Sequence, residues 1–151
     1  FGSNVSLLPA TPVVNQDGFI FGHHEQFTQL KLDLTTAGTG GFTITWQYWN
    51  GAWTSLTGVT DGTSSLTQDG VVSWTLPGDW ATTTFNSQGP FYYVRALYSA
   101  GTVSTVPVAR KTTLDVTRYL PFVQNRTITS DGLTVISVWV EDTISNFGTF
   151  I

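Results

Sequence analysis

The chain reads as an all-β antiparallel sandwich, jelly-roll-like and with little or no helix. Three observations predict this. Short apolar runs alternate with Gly, Asn, Asp, Ser and Pro clusters from end to end. No segment sustains the i, i+3, i+4, i+7 spacing of an amphipathic helix over three turns. Several runs alternate strictly, with apolar residues at every second position, which is the pattern of a sheet with one buried and one wet face.

The elements follow in order. Val5 to Leu8 is an opening strand, closed by Pro9 and Pro12. Phe19-Ile20-Phe21 is a short strand after the Asp17-Gly18 turn. From Gln26 to Leu34, Leu30, Leu32 and Leu34 face one way and Gln29, Lys31 and Asp33 the other. The Gly-rich turn at 37–41 feeds Phe42 to Trp49, where Phe42, Ile44, Trp46 and Tyr48 share a face and Trp49 lies opposite. Asn50-Gly51 then predicts a type I′ hairpin into Trp53–Leu56, because that turn needs positive φ at both central residues. Asp61 to Leu66 reads as an irregular segment or one helical turn. Asp69-Gly70 turns the chain into Val71–Leu76. Pro77-Gly78-Asp79-Trp80 is a turn with room for a short helix, and Thr82 to Gly89 is a polar loop. Phe91 to Tyr98 is an aromatic strand with Phe91, Tyr93, Arg95 and Leu97 on one face. Val106 to Val116 is a strand that Pro107 marks as an edge or a first residue. Val123–Ile128 and Leu133–Glu141 form a last hairpin about Ser130-Asp131-Gly132. The expected organisation is a sandwich core over 1–120 with an N-terminal arm. The stretch 121–151 is then a C-terminal hairpin or extension, packed on the same domain or on a neighbouring subunit.

Composition narrows the function. The 151 residues allow one domain with a real core, 40% being hydrophobic and 14% aromatic. Only 11% are charged, against about a quarter in ordinary soluble domains. That balance suits an extracellular or virion protein. The net charge is −4 and the six Lys and Arg are scattered, so no phosphate-tracking stripe exists and nucleic-acid binding is not expected. Arg110-Lys111, the one adjacent basic pair, reads as a solvated strand edge. With no Cys, disulfides, thiolate metal sites and Cys nucleophiles are excluded. No apolar run approaches the ~18 residues of a membrane span, so no membrane partner is expected. Phe1 opens without a charged leader and Met is absent, so the chain is expected to be trimmed or processed.

No catalytic constellation emerges, and no cofactor or metal is expected. His23-His24-Glu25 is the one histidine cluster. Neighbours on a strand point to opposite faces, so only His23 and Glu25 could converge. No Gly-x-Ser-x-Gly elbow occurs. Asp61, Asp69, Asp79, Glu141 and Asp142 fall in turns or at strand ends, where turn chemistry accounts for them. Asp61-Gly62-Thr63 and Asp69-Gly70 have the oxygen-rich look of a calcium loop but not its spacing.

The aromatics carry the most information. Trp46, Trp74 and Tyr93 are expected in the core. Trp49, Trp53 and Trp80 are the candidates for exposed rings that anchor a protein interface or stack on a sugar. Asn50, Gly51, Trp46, Trp74 and Arg95 are expected to be structural. Arg95, on a strand among aromatics, needs either a carboxylate, for which Asp61 and Asp79 are candidates, or a ring to stack on.

The same residues form a pattern. Trp46, Tyr48, Trp49, Asn50, Gly51, Trp53 and Leu56 are followed by Asp61, Thr63, Leu66, Gly70, Val72, Trp74, Pro77 and Trp80, then by Tyr92-Tyr93-Val94-Arg95. Phe21-Gly22-His23 and Phe27 extend it upstream. This resembles a β-sandwich module of tailed-phage virion structural proteins and some prokaryotic surface proteins. The resemblance implies a non-enzymatic structural role, foremost a capsid decoration (cement) protein that binds and stabilises the outer capsid surface. A tail or baseplate component is a second placement. It further implies a virion location, the major capsid protein or another virion protein as partner, and a homo-oligomer, with a trimer favoured. The competing expectation is a carbohydrate-binding or adhesion module of a tail fibre or surface protein, with Trp49, Trp53 or Trp80 as the stacking platform.

Overall fold

A computed structural model describes residues 4–113, 127–130 and 133–136. Among these there is no helix and there are twelve strands: β1 (Val5–Ser6), β2 (Gly18–His23), β3 (Gln29–Thr36), β4 (Thr43–Trp49), β5 (Trp53–Ser55), β6 (Thr60–Asp61), β7 (Gly70–Ser73), β8 (Thr82–Phe85), β9 (Gln88–Ala100), β10 (Val108–Thr113), β11 (Thr127–Ser130) and β12 (Leu133–Ile136). They make two packed sheets. The first runs β1-β10-β3-β7-β6 and the second β11-β12-β2-β9-β4-β5, with β8 also on β9.

The pairing is nested. β1 pairs β10, β2 pairs β9, β3 pairs β7 and β4 pairs β5, all antiparallel. One long ribbon has therefore folded back on itself and wrapped, sending alternate pairs to opposite sheets. That is the jelly-roll arrangement. β12 lies parallel on β2, in a row where Val135 opposes Ile20, and β11 pairs with β12. Phe1, the segment 114–126 and the apolar end from 137 onward lie outside the described residues.

Alternation places the core. Phe19 and Phe21 of β2, Leu30 and Leu32 of β3, Trp46 and Tyr48 of β4, Val72 of β7 and Val94, Ala96 and Tyr98 of β9 all point between the sheets and are buried. Trp46 and Trp74 are core residues, as expected. The Trp74 Nε1–H donates to the Phe27 carbonyl at 3.1 Å, which satisfies the one polar group its burial would strand.

Several local expectations change. The Asn50 turn is a three-residue loop, because Trp49 pairs with Trp53 across Asn50-Gly51-Ala52. Gly51 alone of the three has positive φ, at 105°, so the type I′ geometry does not form. Asp61–Leu66 is not a right-handed helical turn. Ser64, Ser65 and Leu66 all have φ between 50° and 65°, and Asp61 holds the loop by accepting from Thr63 N–H at 2.8 Å and Ser65 N–H at 3.2 Å. Thr82–Gly89 is a hairpin rather than a loop: β8 pairs with the start of β9, which runs three residues longer at its N-terminal end than the aromatic run itself. Pro107 immediately precedes β10. β1 covers only Val108 and Ala109, so among the described strands β10 is an edge from Arg110 onward, and Arg110 there meets Asp33 at 3.2 Å.

Candidate functional site on the outer face of the second sheet

The residues that β2, β4, β5, β8 and β9 turn away from the core do not make a polar surface. Ile20, Tyr93 and Leu97 are buried on this outer side, and half-buried Trp49, Trp53, Phe85 and Phe91 pack against them. A β-sandwich needs one apolar face per sheet. This sheet has a second one.

The rings form a connected cluster. Trp49 and Trp53 sit opposite each other on β4 and β5, and meet edge-to-face with centroids 5.4 Å apart. Phe85 of β8 lies parallel to Trp53 at 5.5 Å and edge-on to Trp49 at 5.4 Å. It also meets Tyr93 at 4.9 Å. Phe91 continues the row, touching Tyr93 on one side and His24 at 4.5 Å on the other. These are the offset and edge-on geometries that ring quadrupoles favour. Gly22 makes room below: it opposes Tyr93, and a Cβ there would lie 2.3 Å from the Tyr93 ring.

Arg95 is the charge in this apolar surface. It stands between Ile20 of β2 and Gln47 of β4 in register. Its Nε donates to Gln47 Oε1 at 2.6 Å, and its guanidinium carbon lies 4.6 Å from the Trp53 ring centroid. Burial pulls the Arg95 pKa down to about 10, still charged at neutral pH. Burial likewise pushes the Tyr93 phenol up to about 12, so its hydroxyl stays protonated and donates to the Gln88 carbonyl at 2.7 Å.

A polar clamp holds the tryptophan hairpin in place. Asp79, in the 77–80 turn, accepts from the Tyr48 hydroxyl at 2.7 Å and from Asn50 Nδ2 at 2.8 Å. Asn50 Oδ1 in turn accepts from Thr54 Oγ1 at 3.1 Å. The Tyr48 hydroxyl and then Asn50 hold the Asp79 carboxyl below its usual range, and Asp79 raises the Tyr48 phenol. Ala81 N–H donates to the Trp49 carbonyl at 3.0 Å, so the turn is stitched to the end of β4. Asn50 and Gly51 are thus structural, Asn50 through its side chain and Gly51 through its backbone.

The sequence candidates divide. Trp49 and Trp53 lie together in the outer cluster, away from the core face. Trp80 does not join them. It is buried, 5% exposed, among Phe27, Tyr48 and Tyr92, with its Nε1–H donating to the Tyr93 carbonyl at 3.2 Å. It is a core residue on the inner side of β9 and has no face for a ligand. Tyr93 is buried as expected, but in the outer cluster. Arg95 takes the ring and not the acids: Asp61 serves its own loop and receives Trp46 Nε1–H at 3.5 Å, and Asp79 is committed to the clamp. Phe85, Phe91 and Gln47 complete the site without having been singled out in sequence. The available signal was Phe91 on the Arg95 face of its strand.

The polar candidates among the described residues are accounted for locally; Glu141 and Asp142 lie outside them. His23 is fully buried at the end of β2, and its Nδ1 accepts from the Glu25 backbone N–H at 3.0 Å. His24 turns outward to Phe91. Asp69 accepts from Leu34 N–H at 2.7 Å. Among the described residues no three His, Cys, Asp or Glu side chains are placed to share a metal ion, and no helix is long and apolar enough to cross a membrane.

His23 gives a pH prediction. Its Nε2 is buried and has no hydrogen-bond partner among the described residues, and burial lowers its pKa below the ordinary 6.5. The unfolded chain therefore takes up a proton at a pH where the folded chain does not. Stability is full above about pH 6.5 and falls as the pH drops toward the lowered folded value, with a slope of at most about 1.4 kcal/mol per pH unit. Urea melts from pH 7.5 to about 5 are expected to show this loss, and His23→Phe to abolish it. An unchanged slope in the variant would remove His23 as the cause.

Compared with known proteins, the chain matches no family model, no curated protein and no solved structure.

Proposed function

We propose that the chain is a non-enzymatic virion structural domain, a capsid decoration protein that docks on other virion protein through the outer face of its second sheet. One observation carries the reading: a half-buried cluster of Trp49, Trp53, Phe85 and Phe91, with Arg95 among them, on the face turned away from the sandwich core. Trp, Tyr, Phe and Arg are the residues enriched at the centres of protein interfaces, and a contiguous apolar surface of this kind marks an interaction site. The jelly roll suits the role, since it holds such a face rigid on hydrogen-bonded strands, and the resemblance of the Phe21–Arg95 pattern supplies the virion setting.

The geometry favours protein over sugar. Of the three rings considered for glycan stacking, Trp80 is buried, and the Trp53 ring is already engaged by Phe85 and by Arg95. Co-sedimentation of the purified chain with particles from its own source tests the proposal. Saturable binding at a fixed ratio to the coat subunit is the expected result. A chain that stays in the supernatant at micromolar concentration, or that binds a glycan array and not particles, would sink it.

A further inference from the structure

Among the described residues the Arg95 guanidinium has no counter-ion. Among the described residues the ion pair is Arg110 with Asp33, at the far sheet, and no carboxylate lies within ion-pairing distance of Arg95. One nitrogen is satisfied by Gln47. The terminal nitrogens have no hydrogen-bond partner among the described residues, yet they are not sealed from solvent, since His23 Nε2 is the buried unpartnered side-chain atom there. Gln47 and the Trp53 ring orient the planar fork from two sides, so little rotamer freedom remains to be lost when a ligand arrives. Burial has already removed part of its hydration.

We propose that Arg95 is the receptor for a carboxylate of the protein partner, so that the outer face takes an acidic side chain flanked by apolar residues. The assignment rests on the docking surface proposed above and names the chemistry of its occupant. A charged group half-sunk in rings without an acid is costly alone, and becomes favourable when a partner brings the opposite charge to a surface that closes dry around it. The carboxylate matches the guanidinium fork with two parallel hydrogen bonds, and the surrounding rings receive the apolar flanks. A phosphate backbone is a poor fit, because tracking it takes several cations and, among the described residues, this face has Arg95 alone.

The test uses the full chain labelled with ¹⁵N, and three capped hexapeptides that differ at one position, Leu-Trp-Glu-Phe-Leu-Ser and its Gln and Lys counterparts. The Glu peptide is expected to move the Arg95 Nε–H and Trp53 indole N–H signals, to bind at least about 10-fold tighter than the Gln peptide, and to lose that margin in high salt. The Lys peptide is expected to bind more weakly still. Arg95→Lys, which keeps the charge but not the fork, is expected to erase most of the preference for Glu. Equal binding of Glu and Gln peptides at these signals overturns the carboxylate assignment and leaves the docking surface standing. Peptides that move neither signal overturn both.

Discussion

Trp80→Ala is expected to lower the melting temperature by roughly 6–20 °C, a loss of about 3–5 kcal/mol. The size follows from where the indole sits. It packs on Phe27 at 5.1 Å, Tyr92 at 5.7 Å and Tyr48 at 6.2 Å, and its N–H donates to the Tyr93 carbonyl. Truncation leaves a cavity between these rings and strands a carbonyl in the middle of β9. It also loosens the 77–80 turn, whose Asp79 clamps the tryptophan hairpin. Thermal denaturation followed by near-UV circular dichroism measures the effect. The comparison with Trp80→Phe is informative: it refills most of the volume but not the hydrogen bond, so it should recover more than half of the loss. A Trp80→Ala protein that melts with the wild type would mean that the indole is outside the core, and would restore it as a ligand platform.

How far such roles can be read from sequence depends on the length scale of the interaction that sets them. Leu30 and Leu32 in β3, and Tyr93 to Tyr98 in β9, declare their faces by alternation, because the period of a strand is local. The number of strands and their turn signals then leave few ways to close two sheets, and the jelly roll is among them. β8 was not legible because its Thr-Thr-Thr-Phe run has no apolar alternation. Its three β-branched residues suit a strand, but what makes them one is pairing with Phe91 and Tyr92. Trp80 was ambiguous for the opposite reason. It lies in a Pro-Gly-Asp turn, where rings are usually exposed, and only the fold of that turn across the end of β4 drives it inward. The choice of Trp53 and Gln47 over Asp61 and Asp79 as partners of Arg95 was likewise beyond local reading. Register decides it, since Gln47 faces Arg95 across one ladder step, while Asp61 is held by its own loop and Asp79 by Tyr48 and Asn50.

That register is also what makes the outer face testable apart from the fold. Trp53→Ala is expected to weaken association with particles by about 30-fold, while the protein keeps its native spectrum. The indole is half-buried, so its removal costs the free domain less than a core ring would. Its loss to the interface is larger, because three contacts go together: the edge of Trp49, the stacked Phe85 and the platform that holds the Arg95 fork. Residues at the centre of an interface lose about 2 kcal/mol or more on truncation, which is the stated factor. Val71→Ala is the control, since Val71 is 40% exposed on the outward side of the other sheet. It should leave binding within about twofold of wild type. Quantitative co-sedimentation at several ionic strengths separates the cases. If Trp53→Ala binds like the wild type and Val71→Ala does not, the docking face is the first sheet, and the aromatic cluster serves only to brace the hairpins of β5 and β8 against β9.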